Sequence, residues 1–195
     1  MPEKIDNLEK IISGRRTIKP EAFNEKIIPQ EQLLKVLESA NWAPTHGMTE
    51  PWRFIVFSGR EGTKKFGQLH ADLYLKGTPK DQFLEKKHET LLHKTDKASH
   101  VIVVIMKRGE KKNIPEMEEI AATACATQNI LLTAHAFGVA AYWGTGGMCY
   151  ESITHHHFKL SAEDKIMGFL YLGYSDNHLE GFRNSSVEEK TTWIF

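Results

Sequence analysis

The sequence predicts an α+β fold in which helices cover both faces of a central sheet. Segments of helical and strand character alternate along the 195 residues. The apolar run over residues 101–106 has the length of a strand that is buried on both faces. An alanine-rich segment over residues 116–137 predicts one long helix. A chain of this length suits one domain, so residues 1–195 are expected to form a single α/β sandwich.

Two helices precede the first strand. Apolar residues recur at helical spacing near the N-terminus, and residues 13–14 end that helix. Pro29 occupies a favoured first-turn position and opens a second helix, which is expected to stop near Trp42. Residues 53–58 then predict a mostly buried strand that Gly59 closes.

The middle of the chain, residues 60–100, is charged and helical in character, with a break at residues 77–79. Two helices are expected there, and Phe83 and Leu84 are placed in the second. Two further strands are predicted over residues 139–143 and 166–172, with a short helix between them. The chain ends in an apolar tail of high β-propensity, which would be costly to leave in water.

Composition excludes several function classes. The chain has 25 basic and 25 acidic side chains, which argues against a general nucleic-acid binder. No apolar run reaches the roughly 20 residues that span a bilayer, and the N-terminus lacks a signal-peptide core. A cytoplasmic protein is expected. The two cysteines do not form a disulfide framework, and Cys125, set among alanines, is predicted to be a buried, inert thiol.

No metal site is predicted. Three consecutive histidines at residues 155–157 point in different directions on a helix, so they cannot all reach one ion. His70 and His135 are expected to be surface or partly buried residues and not ligands. No glycine-rich phosphate loop follows any predicted strand, so arginines would have to hold the phosphate of a bound nucleotide.

Arg15 and Arg16 follow the first helix directly, with Thr17 beside them. Two adjacent guanidiniums suit a phosphate dianion, because each can donate two parallel charge-assisted hydrogen bonds. Considered alone, such a pair more often complements the dipole at the C-terminus of a helix. Both interpretations stay open on the residues themselves.

Two further segments could line a planar ligand. Residues 44–52 form a turn rich in small and hydroxyl side chains, and residues 143–147 form a glycine-rich turn after a predicted strand. Glycine allows backbone amides to approach a ligand closely, because it has no Cβ. Each segment alone could equally be an ordinary turn.

The four segments 15–17, 43–52, 140–147 and 168–174 together resemble the FMN-dependent nitroreductase family, and most closely its small single-domain branch. The resemblance implies a mainly antiparallel sheet and an intertwined homodimer, with FMN at the subunit interface. It implies no catalytic side chain, because the flavin carries the chemistry. The implied cofactor-binding residues are Arg15, Arg16, Thr17, Trp42, Pro44, Thr45, His46, Gly47, Met48, Trp143, Gly144, Thr145 and Gly146.

The implied activity is ping-pong hydride transfer from NADH or NADPH, through FMN, to electron-poor acceptors such as nitroaromatics and quinones. The arginines and residues 44–48 would come from opposite subunits. Residues 45–48 depart from the common Ser-(Ser/Gly)-x-Asn pattern, although a small branch carries a histidine at the position of His46. Glu50 replaces the usual glutamine, and its carboxylate would disfavour reduced flavin unless it is paired or faces away.

Two alternatives stay open. The chain could bind flavin as a carrier or sensor without significant turnover. It could also keep the fold and use the flavin differently, to reduce a carbon–halogen bond, saturate a substrate or fragment reduced flavin. Residues 60–100 are expected to cover the pocket and would decide between these uses.

Overall fold

Helices and strands follow one another in the predicted order. In the computed structural model, residues 2–111 and 113–195 are described. The helices are α1 (Pro2–Gly14), α2 (Gln30–Glu38), α3 (Gly59–Gly77), α4 (Glu85–His93), α5 (Glu116–Ala136) and α6 (Ser152–His157). The strands are β1 (Trp52–Ser58), β2 (His100–Met106), β3 (Ala140–Gly144) and β4 (Lys165–Gly173). Within the described residues, no helix has the length and hydropathy needed to cross a membrane.

The four strands form one sheet in the order β1-β2-β4-β3, and each neighbouring pair is antiparallel. All residues of β2 are buried, as the continuous apolar run predicts. The chain after α1 joins the edge strand, because the Ile18 N–H donates to the Ala141 carbonyl at 3.1 Å. This bond fixes the end of α1, and the two arginines that follow it, beside β3.

Alternate residues of β2 face two different cores. Ile102 and Val104 pack in a cluster that includes residues of α2 and α5. Val101 and Val103 face the opposite side, where Phe66 of α3 joins them. Helices therefore cover both faces of the antiparallel sheet, as predicted.

The second helical segment stops at Trp42 as predicted, since a tighter 3₁₀ turn over Ser39–Trp42 follows α2 directly. Two sequence predictions about the elements need correction. Phe83 and Leu84 precede α4, because Leu84 is extended and its N–H donates to the Tyr74 hydroxyl at 3.1 Å. Cys125 is exposed, so the prediction of a buried thiol is wrong. The neighbouring positions on α5 that are buried face the sheet, and Cys125 lies on the other side of the helix.

A close approach between β3 and β4 depends on Gly168. Its φ is +139°, and a Cβ at this position would fall on the indole of Trp143, whose Nε1 donates to the Met167 carbonyl at 3.0 Å. We expect Gly168→Ala to lower the free energy of unfolding by about 1–2 kcal/mol, since the backbone is strained and the ring must move. Urea denaturation measures this loss.

Gly59→Ala is the matched control, because Gly59 has a φ of +65° but no heavy atom lies within 4 Å of the place that a Cβ would take there. It should lose less stability than Gly168→Ala. Equal losses would show that the indole contact contributes nothing.

Candidate functional site

A cavity of about 220 Å³ lies between the end of α1, the C-terminal end of α5, the start of β3 and residues 175–179. Four basic side chains line it: Arg15, Arg16, His135 and His178. Among the described residues that line the cavity, none is acidic. We call this space the arginine cavity. Its charge suits an anion.

Arg16, which lines this cavity, also carries a buried donor. Its Nη1 donates to the carbonyls of Ser13 and Arg15, at 2.6 and 2.7 Å, so the guanidinium also caps the end of α1. Gly181 lies against the guanidinium, where any Cβ would collide with it. Within the described chain, Arg16 Nε is buried and lacks a hydrogen-bond partner. Since buried donors are normally paired, this nitrogen indicates a missing acceptor.

His135 lies beside the arginines on the last turn of α5. Its Nε2 comes within 3.0 Å of the position that a Cβ on Gly14 would take. Burial, followed by the positive charges of Arg15 and Arg16, lowers the pKa of His135. The histidine is therefore neutral near neutral pH, and it is partly buried as predicted.

Residues 42–48 lie elsewhere on the chain, and most of their side chains are exposed. His46 Nδ1 is 2.5 Å from Glu118 Oε2, near the N-terminal end of α5. Lys111 Nζ donates to the Gly47 carbonyl at 2.5 Å. The backbone is left-handed at Gly47 and Met48, with φ of +59° and +55°, which is unusual for methionine. The surrounding bonds hold this exposed turn in a strained shape.

Glu50 belongs to the same strained turn, with a φ of +42°. Its backbone N–H donates to Thr45 Oγ1 at 3.2 Å, and its carbonyl accepts from Arg53 Nη1 at 2.7 Å. The residue is exposed in the protomer. These bonds assign the backbone of Glu50 a role in shaping the turn.

The two halves of the predicted site are far apart in one protomer. Helix α5 has 21 residues, so it spans about 30 Å at 1.5 Å per residue. Glu118, which contacts His46, and His135, which lines the arginine cavity, are separated by about 25 Å along this helix. The structure therefore does not bring Arg15 and Arg16 together with residues 44–48 within one chain.

The glycine-rich turn lies at the far end of β3 from the arginine cavity. Ala140 and Ala141 line that cavity, and β3 ends at Gly144. Gly144 is buried, whereas Thr145 and Gly146 are exposed. The indole N–H of Trp143 is used within the sheet, as its bond to Met167 shows. One edge strand thus joins the arginine cavity to the turn.

His70 is a residue whose environment the sequence does not reveal. The sequence predicts it at the surface or partly buried, yet it is 2% exposed. Its Nε2 accepts the Met148 backbone N–H at 3.0 Å, across 78 positions of sequence. A lone histidine on a charged helix gives no signal of such a distant bond.

His70 also predicts a pH dependence of stability. Burial, then the charges of Lys94 and Lys87, lowers its pKa from the ordinary value of 6.5 to about 4. Since the unfolded chain takes up this proton more readily, the stabilisation is complete above pH 6.5 and is lost as pH falls towards 4. Urea denaturation at about pH 7 and about pH 5 should show the loss. His70→Gln should show a smaller loss, and an equal one would contradict the assignment.

The arrangement matches known proteins along most of its length. The Nitroreductase family matches residues 12–174. "Putative NAD(P)H nitroreductase YfhC" of Bacillus subtilis is 27% identical over 185 residues. The match covers 95% of this chain and 93% of the YfhC chain.

Solved structures agree with this match. The nitroreductase-like family protein from Bacillus cereus shares 28% identity and a TM-score of 0.83, over 96% of this chain and 95% of its own. A structure from Desulfovibrio desulfuricans, described as a complex with FMN, shares 21% identity and a TM-score of 0.70, over 96% and 97% of the two chains. With the family match covering most of its residues, the chain belongs to the nitroreductase family.

Proposed function

We propose that this chain is a single-domain, FMN-dependent oxidoreductase that uses NADH or NADPH to reduce electron-poor acceptors, such as nitroaromatics and quinones. One observation carries the proposal: two arginines line the arginine cavity, and the guanidinium of Arg16 has a buried Nε without a partner among the described residues. A phosphate oxygen would satisfy this donor. The name of YfhC and the FMN complex from Desulfovibrio desulfuricans support the same interpretation.

The residues present suit FMN at three places. Arg15 and Arg16 would hold the phosphate, with Thr17 as a hydrogen-bonding neighbour. The backbone N–H groups of residues 144–146 would reach the flavin ring, since Gly146 has open space where a Cβ would be. Residues 44–48 of a second copy would complete the site.

Bound FMN would accept a hydride from the nicotinamide and pass two electrons, with a proton, to the acceptor. No side chain of this protein needs to act as an obligatory acid or base. The arginines supply positive charge that stabilises an anionic ligand. The turns would supply fixed amide donors to the ligand.

A homodimer is part of the proposal, since the two halves of the site lie about 25 Å apart in one chain. Each protomer exposes Ile5, Leu8 and Ile12 on α1, and its C-terminal tail is also exposed. In that tail Ile194 is 93% exposed. A second copy would bury these apolar surfaces, which is favourable.

The tail gives a direct prediction. Deleting residues 187–195 is expected to weaken both the dimer and FMN retention, because the tail would pair with the partner. Within the described chain, the outer edge of β1 has no partner strand and could accept it. Sedimentation and the flavin content of the purified protein measure the two effects. A truncated protein that stays dimeric and yellow would refute the prediction.

The visible spectrum of the purified protein tests the proposed function. We expect a flavin spectrum that bleaches under anaerobic NADH or NADPH and recovers with a quinone or nitroaromatic. A flavin that resists both nicotinamides would favour the carrier or sensor, or a different use of the flavin. A protein that takes up no added FMN would overturn the proposal.

A further inference from the structure

We propose that His70 is a positioning residue that holds residues 144–148 in the shape that presents the backbone N–H groups of residues 144–146 to the flavin ring. This inference rests on the proposed function. It gives the segment 60–100 a role, since His70 lies on α3, and that role is to support the turn from below. The turn after β3 is called the glycine turn below.

The glycine turn wraps around the imidazole. The Met148 N–H donates to His70 Nε2 at 3.0 Å. Gly147 has a φ of +69°, and a Cβ on it would collide with the same imidazole. The ring therefore fixes both the backbone direction at Gly147 and the hydrogen bond one residue later.

The backbone of Met148 is held from its other side as well. Its carbonyl accepts the hydroxyl of Thr154, from α6, at 2.6 Å. Leu91 of α4 also reaches the turn, since its Cδ2 lies 3.0 Å from the place of a Cβ on Gly147. Three helices thus converge on the end of the glycine turn, and His70 supplies the acceptor for the Met148 N–H.

The imidazole itself is rigidly packed. The rings of Phe66 and Phe169 surround it, with centroid distances of 5.5 and 5.3 Å. Because Nε2 accepts a hydrogen bond, the proton of the neutral ring is on Nδ1. Within the described residues that nitrogen is buried without a partner.

The unpaired Nδ1 donor is unfavourable, but an apolar side chain at this position would leave the buried Met148 N–H without an acceptor, which also costs free energy. The imidazole accepts a hydrogen bond from the Met148 N–H, which an apolar side chain could not do. His70 therefore holds the glycine turn through this hydrogen bond.

Two amide variants separate these roles. His70→Gln places an oxygen near the position of Nε2, where it can accept the Met148 N–H, whereas the shorter side chain of His70→Asn cannot reach it. Phe66→Leu is the matched control, because it disturbs the same packing on α3 without touching the bond. Thermal unfolding would confirm that all three variants are folded.

We expect His70→Asn to raise the Kd for FMN at least about tenfold, with His70→Gln and Phe66→Leu within about threefold of the wild type. Hydrogen exchange of the Met148 amide, measured without FMN, should be faster in His70→Asn than in His70→Gln. Equal exchange and equal FMN affinity in the two amide variants of a wild type that binds FMN would overturn the inference alone. A wild type that takes up no FMN would overturn the proposed function, and the inference with it.

Discussion

Replacing Arg16 with alanine is expected to weaken FMN binding at least about tenfold, and Arg15→Ala should act in the same direction. A hydrogen bond to a charged group contributes roughly 1.5–3 kcal/mol, which corresponds to that change in Kd or more. Both arginines line the arginine cavity, and Arg16 Nε is buried without a partner among the described residues. Fluorescence titration of the apoprotein with FMN gives the Kd.

Arg16 also donates to two carbonyls at the end of α1, so its loss could act through the helix. Arg60→Ala is the matched control, because Arg60 likewise donates to two carbonyls, those of Asp96 and Glu25, but does not line the cavity. It should leave the Kd for FMN unchanged. Arg16→Lys keeps the charge and loses the bidentate geometry, so an intermediate Kd is expected. If both alanine variants bind FMN like the wild type, the phosphate site is elsewhere.

Local patterns predicted the elements that depend on local chemistry. The continuous apolar run identified β2, and the alanine-rich segment identified the long helix α5. The burial of individual side chains on α5 was harder. The small residues on this helix are spread around its circumference, so the sequence does not say which side faces the sheet, and the prediction for Cys125 is wrong for this reason.

The sequence likewise reveals some features of the candidate site and not others. The chemistry of Arg15 and Arg16 is visible in the sequence, because adjacent guanidiniums suit a phosphate. The left-handed backbone at Met48 and Glu50 could not be predicted from the sequence, because neither residue type favours that conformation. The hydrogen bond between His70 and Met148 could not be predicted either, because it depends on the packing of α3 against the turn at the end of β3.

About 25 Å separates the arginine cavity from residues 44–48 in one chain, so the proposed site is built from two chains. Combining two variant chains can test this arrangement. A site built from one chain fails whenever that chain is damaged. A site shared by two chains can be rebuilt from two different damaged ones. The distinction can be tested with changes at only two positions.

Two damaged chains are expected to restore one site when they are combined in a mixed dimer. One chain carries Arg16→Ala, and the other carries Gly47→Val, which forces a β-branched residue into a φ of +59° and against Ile114. Each homodimer has two broken sites. The mixed dimer has one site with Arg16 from one chain and an intact turn from the other, so it should bind about one FMN. Two affinity tags isolate the mixed dimer, and absorbance gives its flavin content.

The reciprocal mixture is the control. A chain with both changes, paired with a wild-type chain, leaves every shared site with one damaged half, so the flavin content should be near zero. If each site instead belonged to one chain, the outcomes would exchange: the doubly altered chain with a wild-type partner would bind flavin, and the two single variants would not. The pair of measurements therefore decides between a shared site and a site within one chain, at an FMN concentration where neither single-variant homodimer binds flavin.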